Sequence, residues 1–133
     1  DDVLNDVMSM GRAIGIAFQI KDDLFDYGDN KVGKPTGIDI IEKKMTLPLI
    51  YALNSSTKKE RRSILRILQK DKKTKQEIQE VINFVESKGG IDYAQTRMLE
   101  YKQKSIDILE KIPTKASTSY LLALINFVIE RKK

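Results

Sequence analysis

The segment Gly11–Pro48, GRAIGIAFQIKDDLFDYGDNKVGKPTGIDIIEKKMTLP, decides the fold that we predict for this chain. It begins as a helix that is apolar on nearly every side from Ala13 to Phe18, and such a helix is normally buried. The same helix then carries Asp22, Asp23 and Asp26, of which the first and last lie one turn apart on one face. We therefore predict a buried helix that ends in a cluster of carboxylates.

Carboxylates at the end of a buried helix are costly unless a positive charge compensates them. Mg²⁺ is a suitable partner, because this hard cation takes oxygen ligands and keeps water and substrate phosphates in its other positions. The candidate ligands are Asp22, Asp23 and Asp26. Spacing alone leaves a second interpretation open, in which the acids mark the point where the helix emerges into solvent.

The loop after the helix favours the metal interpretation. The run Tyr27–Asn30 is typical of a turn, and it is followed by two glycines, by Lys34 and by the pair Lys43-Lys44. Such a loop can hold a polyanion: the acids bind the ion, the ion binds phosphate oxygens, and the lysines neutralise the remaining charge.

At this point the sequence resembles a known family. The ordered motifs FQIKDDLFD, GKPTGID and KKMTLPLIYAL are similar to the second aspartate-rich motif and following loop of trans-type polyprenyl diphosphate synthases. The resemblance is specific over the first 55 residues. One departure is visible, because the second Gly-Lys pair of the family reads Lys43-Lys44 here, without the glycine that allows close approach of a backbone.

The resemblance implies an enzyme that joins isopentenyl diphosphate to an allylic diphosphate, head to tail, and releases pyrophosphate. Metal and lysines would stabilise the leaving pyrophosphate. By the same resemblance Asp22 ligates Mg²⁺ directly, while Asp23 and Asp26 support that ion. Asp39 would order the loop by pairing with a lysine, although an ordinary surface acid fits the sequence equally well.

The resemblance also implies substrate contacts. Gln19, Lys34 and Lys44 would contact the allylic diphosphate, and the last two would share catalysis with Asp22. Phe18 would lie along the substrate cavity. The basic terminus, Arg131 and Lys132, would reach the other diphosphate, unless these residues only complement the helix dipole.

The remaining chain predicts an all-α fold, a helical bundle that forms the C-terminal portion of an isoprenoid-synthase-type fold. Apolar residues recur at helical spacing with no β-alternation. We expect a single all-helical domain fragment, with the site in residues 1–48 and C-terminal helices in residues 49–133. Its later helices are predicted near Leu47–Leu53 with Thr46 as cap, Lys58–Gln69, Thr74–Ser87, Ile91–Leu109 and Ala116–Ile129.

Composition excludes several other classes of function. The chain has no cysteine and no histidine, which rules out disulfides, thiolate metal sites, histidine-ligated zinc and the commonest general base. The lack of cysteine suits a reducing cytosol, and we expect a cytoplasmic protein. No apolar run reaches the roughly 20 residues of a membrane span. The net charge is +5, and residues 58–75 hold nine basic residues against two acids. Their helical spacing favours the solvated face of an amphipathic helix over nucleic-acid binding.

Three alternatives stay open at the level of sequence. The chain could belong to a non-catalytic subunit that supports an active partner in a heteromeric prenyl synthase, it could be a structural helical module whose acids are merely solvated, or it could bind nucleic acid through residues 58–75. A homodimer is expected for the full-length protein by resemblance.

The resemblance also predicts that the isolated chain does not turn over. The first aspartate-rich motif of such synthases, which binds further Mg²⁺, has no counterpart in this sequence. Incubation of the isolated 133 residues with labelled isopentenyl diphosphate, an allylic diphosphate and Mg²⁺ should give no extractable product. Product formation would refute this expectation.

Overall fold

The computed structural model describes residues 2–27, 37–112, 121–123, 125–126 and 129–130, and within these ranges it contains helices and no strand. The all-α prediction is therefore confirmed. The helices are α1 (Asp2–Leu24), α2 (Ile38–Ile41), α3 (Leu47–Asn54), α4 (Lys58–Leu68), α5 (Lys75–Ser87) and α6 (Gly90–Glu110). Residues 121–123, 125–126 and 129–130 are also helical, as the predicted last helix requires.

The chain forms two compact units. The first contains Asp1–Lys21 and Thr96–Lys133, and the second contains Asp22–Gln95. The predicted division at residue 48 stays a prediction. In the first unit, Met10, Leu109 and Ile125 form a small buried apolar cluster.

Helix α1 is buried on one face only, which corrects the expectation of a helix enclosed on every side. Ala13, Ala17 and Ile20 are buried, and their spacing of four and three residues is that of a single helical face. By contrast, Ile16 is 41% exposed and Phe18 is 37% exposed. Apolar composition predicted the helix correctly, but it could not tell which faces have partners within this chain.

The second unit contains an apolar core to which the turn after α1 and helices α2, α3, α4 and α5 contribute. Its buried members are Tyr27, Ile40, Leu49, Ala52, Leu53, Ile64, Ile67, Leu68, Val81, Ile82 and Val85. Two helices that contribute to it begin with a reciprocal capping box. Thr57 with Glu60 caps α4, and Thr74 with Glu77 caps α5. These caps fix where the two helices start, as the sequence indicated for Thr74.

Gly90 lets α6 begin close to α3. A Cβ built at this position would clash with the carbonyl oxygen of Pro48 and would lie 2.9 Å from a methyl carbon of Val85. Real Cβ atoms do not approach a backbone oxygen so closely, so a larger residue here has to displace one of the helices. This contact places the start of α6 against Pro48, near the start of α3.

Substitution of Gly90 by alanine should therefore destabilise the protein by about 1–3 kcal/mol through overpacking. Urea unfolding followed by circular dichroism measures this change. Gly15→Ala is the matched control, because no described atom lies within 4 Å of a Cβ at that exposed helical position. The control should be neutral or stabilising by up to about 1 kcal/mol. Equal stability of the two variants would contradict the packing described.

Candidate functional site

The prediction that α1 itself carries all three acids is wrong for Asp26, because α1 ends at Leu24 and Asp26 lies in the turn after it. Three main-chain hydrogen bonds tighten this turn: Phe25 N donates to Asp22 O (3.2 Å), Asp26 N to Asp23 O (3.3 Å) and Tyr27 N to Leu24 O (3.0 Å). Each bond spans three residues, as in a 3₁₀ turn. The turn leaves Asp22 partly buried, whereas Asp23 and Asp26 are buried. The three acids therefore sit in different environments, although the sequence places them within a few residues.

Asp26 ties the end of α1 to the start of α2. Its side chain is fully buried, and its Oδ1 accepts a hydrogen bond from the main-chain N–H of Asp39 at 3.0 Å. Its own carbonyl accepts from Gly37 N at 3.1 Å. An amide that donates to a buried carboxylate forms one of the stronger hydrogen bonds in proteins. Asp26 thus holds the two ends of the intervening loop together.

Gly37 has two reasons to be glycine. Its φ of 87° lies in the left-handed region, which side chains with a Cβ adopt at a cost. A Cβ there would also lie 2.5 Å from a methyl carbon of Ile78. The second glycine of the loop is therefore required by the packing of α2 on α5, and this packing brings Asp39 N–H within reach of Asp26.

Lys44 is the cation that the structure places beside the acids. Its main-chain N–H donates to Asp39 O at 2.8 Å, and its Nζ lies 3.6 Å from Asp23 Oδ1. At that distance the pair is held by charge rather than by a well-formed hydrogen bond. The Lys44 side chain is half-exposed, so its ammonium group can shift toward an anion bound at the helix end.

Tyr27 and Thr46 close the buried side of this arrangement. The two hydroxyl oxygens are 3.2 Å apart and hydrogen-bonded. Burial, reinforced by the nearby carboxylates of Asp26 and Asp39, raises the pKa of Tyr27 well above its usual range. The phenol therefore stays neutral and can share its proton with Thr46. Thr46 does occupy the N-cap position of α3 as predicted, but its side chain makes no capping bond.

Lys43 has a strained backbone. Its φ is 60°, which makes it the one non-glycine residue with positive φ in the described part of the chain. This is the position at which the resembled family has glycine, so the missing glycine leaves a lysine in the left-handed region. The Lys43 Nζ contacts Asp71 Oδ1 at 2.6 Å, and this contact lowers the pKa of the Asp71 carboxyl.

The three acids do not converge on one point. Within the described residues, no group of three or more Asp, Glu, Cys or His side chains has a geometry that could hold a metal ion. The donor chemistry nevertheless suits a hard cation, because Mg²⁺ is usually bound by one or two carboxylates together with water and substrate phosphates. Asp22 and Asp23 satisfy that requirement, and Asp26 is engaged with Asp39. The metal-ligand assignment of all three stays a prediction.

The remaining predicted site residues fall into two groups. Phe18 and Gln19 are exposed residues of α1 in the first unit, and their predicted substrate contacts stay predictions. Lys34, Arg131 and Lys132 lie outside the described residues. The predicted pairing of Asp39 with a lysine is not found among the described residues, since this buried acid instead orders the loop through its main-chain groups.

Sequence reasoning missed two features of the site. Helix α2 was read as part of a loop, because four residues are too few to show a helical period. The hydrogen bond between Tyr27 and Thr46 joins residues that are 19 positions apart, and no spacing rule predicts such a pair. One sequence signal of backbone strain exists, because Lys43 occupies a position at which the resembled family has glycine.

Comparisons with known proteins agree with the family resemblance of the aspartate-rich motif. Residues 1–85 match the family model described as "Polyprenyl synthetase". A short chain isoprenyl diphosphate synthase from Methanothermobacter thermautotrophicus is 35% identical over 125 residues, which are 92% of this chain and 38% of that protein. The chain therefore spans about two-fifths of that relative's length.

Solved structures share the fold of this chain. A geranylgeranyl pyrophosphate synthase from Bacteroides thetaiotaomicron is 39% identical with a TM-score of 0.84, covering 96% of this chain and 42% of its own. A polyprenyl synthase from Caulobacter crescentus, solved with calcium and isoprenyl diphosphate, is 26% identical with a TM-score of 0.84, covering 100% and 42%. These proteins have the same fold over nearly the full length of this chain.

Replacement of Asp26 by alanine should destabilise the protein by about 1–3 kcal/mol, because the buried Asp39 N–H then loses its acceptor. Asp26→Asn is the matched control, since its amide oxygen can still accept that bond. Urea unfolding of both variants measures the difference. If asparagine and alanine cost the same, the hydrogen bond to Asp39 is not what Asp26 provides.

Replacement of Lys43 by glycine should stabilise the protein by up to about 1 kcal/mol, because it relieves the left-handed strain. The lost contact to Asp71 is exposed and contributes little. Thermal and urea unfolding test this expectation. Asp71→Asn removes the same ion pair without changing the backbone, and it should leave stability nearly unaltered. If Lys43→Gly loses more stability than Asp71→Asn, the interpretation that the Lys43 backbone is strained is contradicted.

Proposed function

The chain belongs to the polyprenyl synthetase family, and we propose that its full-length gene product condenses isopentenyl diphosphate with an allylic diphosphate. In that reaction the allylic C–O bond breaks, its electron pair leaves with pyrophosphate, and a new C–C bond forms to isopentenyl diphosphate with loss of a proton. The observation that carries the proposal is the meeting of the acidic end of α1 with the Asp39–Lys44 segment.

Asp22 and Asp23 would hold a divalent cation in this site, and we propose that the cation is Mg²⁺. When bound, the cation supplies positive charge to a diphosphate leaving group. Asp22 is the better exposed of the two, which makes it the residue that meets an incoming ion and phosphate. Asp23 is buried beside Lys44, so its charge is already partly balanced before a ligand arrives.

Lys44 would bind the diphosphate directly. Its main chain is fixed by Asp39 O while its side chain is half-exposed, so a positioned cation can move a short distance from Asp23 to a phosphate oxygen. A positive group aimed at charge that develops on the leaving group lowers the barrier to C–O cleavage. Lys34 would add a second ammonium group by resemblance.

Asp26 would act by position rather than by contact with substrate. Its bond to Asp39 holds the loop that carries Lys44. For the final proton, the acceptor that we propose is the released pyrophosphate; these 133 residues contain no histidine. The proposal includes a cytoplasmic homodimer. None of the described helices is long and apolar enough to cross a membrane.

The test uses the full-length gene product that carries this sequence, with labelled isopentenyl diphosphate, an allylic diphosphate and Mg²⁺. Asp22→Ala should reduce incorporation about 100-fold or more, and Lys44→Gln should reduce kcat/KM for the allylic diphosphate about tenfold or more. Asp92→Ala removes an exposed acid from the first turn of α6 and should leave the rate nearly unchanged.

The alternatives predict different results from the same preparation. A supporting subunit would show no incorporation, yet it would still bind diphosphate in the presence of Mg²⁺. A structural module would show neither incorporation nor binding. Either result would overturn the proposed activity, and incorporation that is insensitive to Asp22→Ala would overturn the proposed site.

A further inference from the structure

A cationic surface lies on α4. It belongs to the same unit as the candidate site, but other residues form it. It is an open groove of about 520 Å³. All of its lining side chains come from one face of α4 and its C-cap: Lys58, Arg61, Arg62, Leu65, Arg66 and Gln69. Four of the six are cations and none is an acid. A groove lined in this way attracts anions and concentrates them near its surface.

Among the acids that the structure describes, none forms an ion pair with a cation of this groove. The single acid of α4, Glu60, accepts a hydrogen bond from Lys88 Nζ at 2.9 Å and another from Thr57 N. The bond from Lys88 lowers the pKa of Glu60 to about 2. The Glu60 carboxylate therefore stays ionised at neutral pH and pairs with Lys88, which is not a residue of the groove.

Arg61 is held in place before any ligand binds. Its Nε donates to the carbonyl oxygen of Leu53 at 3.0 Å, and the residue is partly buried. The bond orients the guanidinium group and uses only one of its five donors. An arginine that is fixed in this way loses less side-chain entropy when its terminal nitrogens bind a phosphate group.

We propose that this groove binds phosphate groups, carried either by a free anion such as diphosphate or by a lipid headgroup. Three arginines favour phosphate, because the planar guanidinium matches two phosphate oxygens at once. A nucleic-acid strand is less suitable, since no aromatic side chain lines the groove on which a base could stack. The inference does not depend on the proposed prenyl transfer, because it involves none of the residues assigned to that reaction.

The experiment titrates the full-length gene product with inorganic diphosphate by isothermal calorimetry in EDTA. EDTA removes divalent ions, so diphosphate at the acidic end of α1 loses the cation that supports its binding there. Arg62→Gln combined with Arg66→Gln should weaken binding about tenfold or more. Lys72→Gln combined with Lys75→Gln is the matched control: it removes the same charge from exposed positions outside the groove and should change binding less than about threefold.

A second arm distinguishes the source of the phosphate. Sedimentation with phosphatidylglycerol vesicles, against phosphatidylcholine vesicles, tests a lipid headgroup. Phosphate recognition is supported if the groove residues are needed to bind free diphosphate, or to bind only the anionic vesicles. The ligand that binds identifies the source of the phosphate. Equal weakening in the control variant would overturn the proposal in favour of diffuse charge. Absence of binding in both arms would overturn it, as would tighter binding of an oligonucleotide. Circular dichroism checks that each variant is folded.

Discussion

The buried hydrogen bond from Asp39 N–H to Asp26 Oδ1 is the interaction on which the candidate site depends. It spans 13 residues and joins the end of α1 to the first turn of α2. Because both groups are buried, neither can exchange its partner for water without partial opening of the second unit. The bond fixes Asp39, whose carbonyl oxygen then positions the main chain of Lys44.

The three acids lie in different environments. Asp26 is fully buried and accepts the bond from Asp39, Asp23 is buried beside Lys44, and Asp22 is the most accessible. An aspartate-rich motif on a helix therefore does not imply a ready-made chelate. One or two carboxylates are enough for an ion that takes its other ligands from water and phosphate. The strained φ of Lys43, directly before Lys44, lies in the same short segment, and strain of this kind is often found near functional groups.

Sequence predicted those features that arise from local spacing. The helical period predicted α3 to α6 within one or two residues, and Thr74 was correctly identified as the start of α5. The motif predicts the acids and Lys44 as site residues, because their order along the chain is itself the signal. Features that depend on tertiary contact were not predictable. The exposed face of α1, the short helix α2 and the hydroxyl pair of Tyr27 and Thr46 all follow from which segments meet in the fold.

The proposed difference in role between Asp22 and Asp26 can be tested directly. Crystals of the full-length gene product, grown with Mn²⁺ in place of Mg²⁺ and with diphosphate, would locate the metal by anomalous scattering. We predict a Mn²⁺ peak coordinated by the Asp22 carboxylate, with the hydrogen bond from Asp39 N–H to Asp26 Oδ1 intact. A metal ion coordinated by Asp26 with that hydrogen bond broken, or no peak at the end of α1, would contradict this assignment.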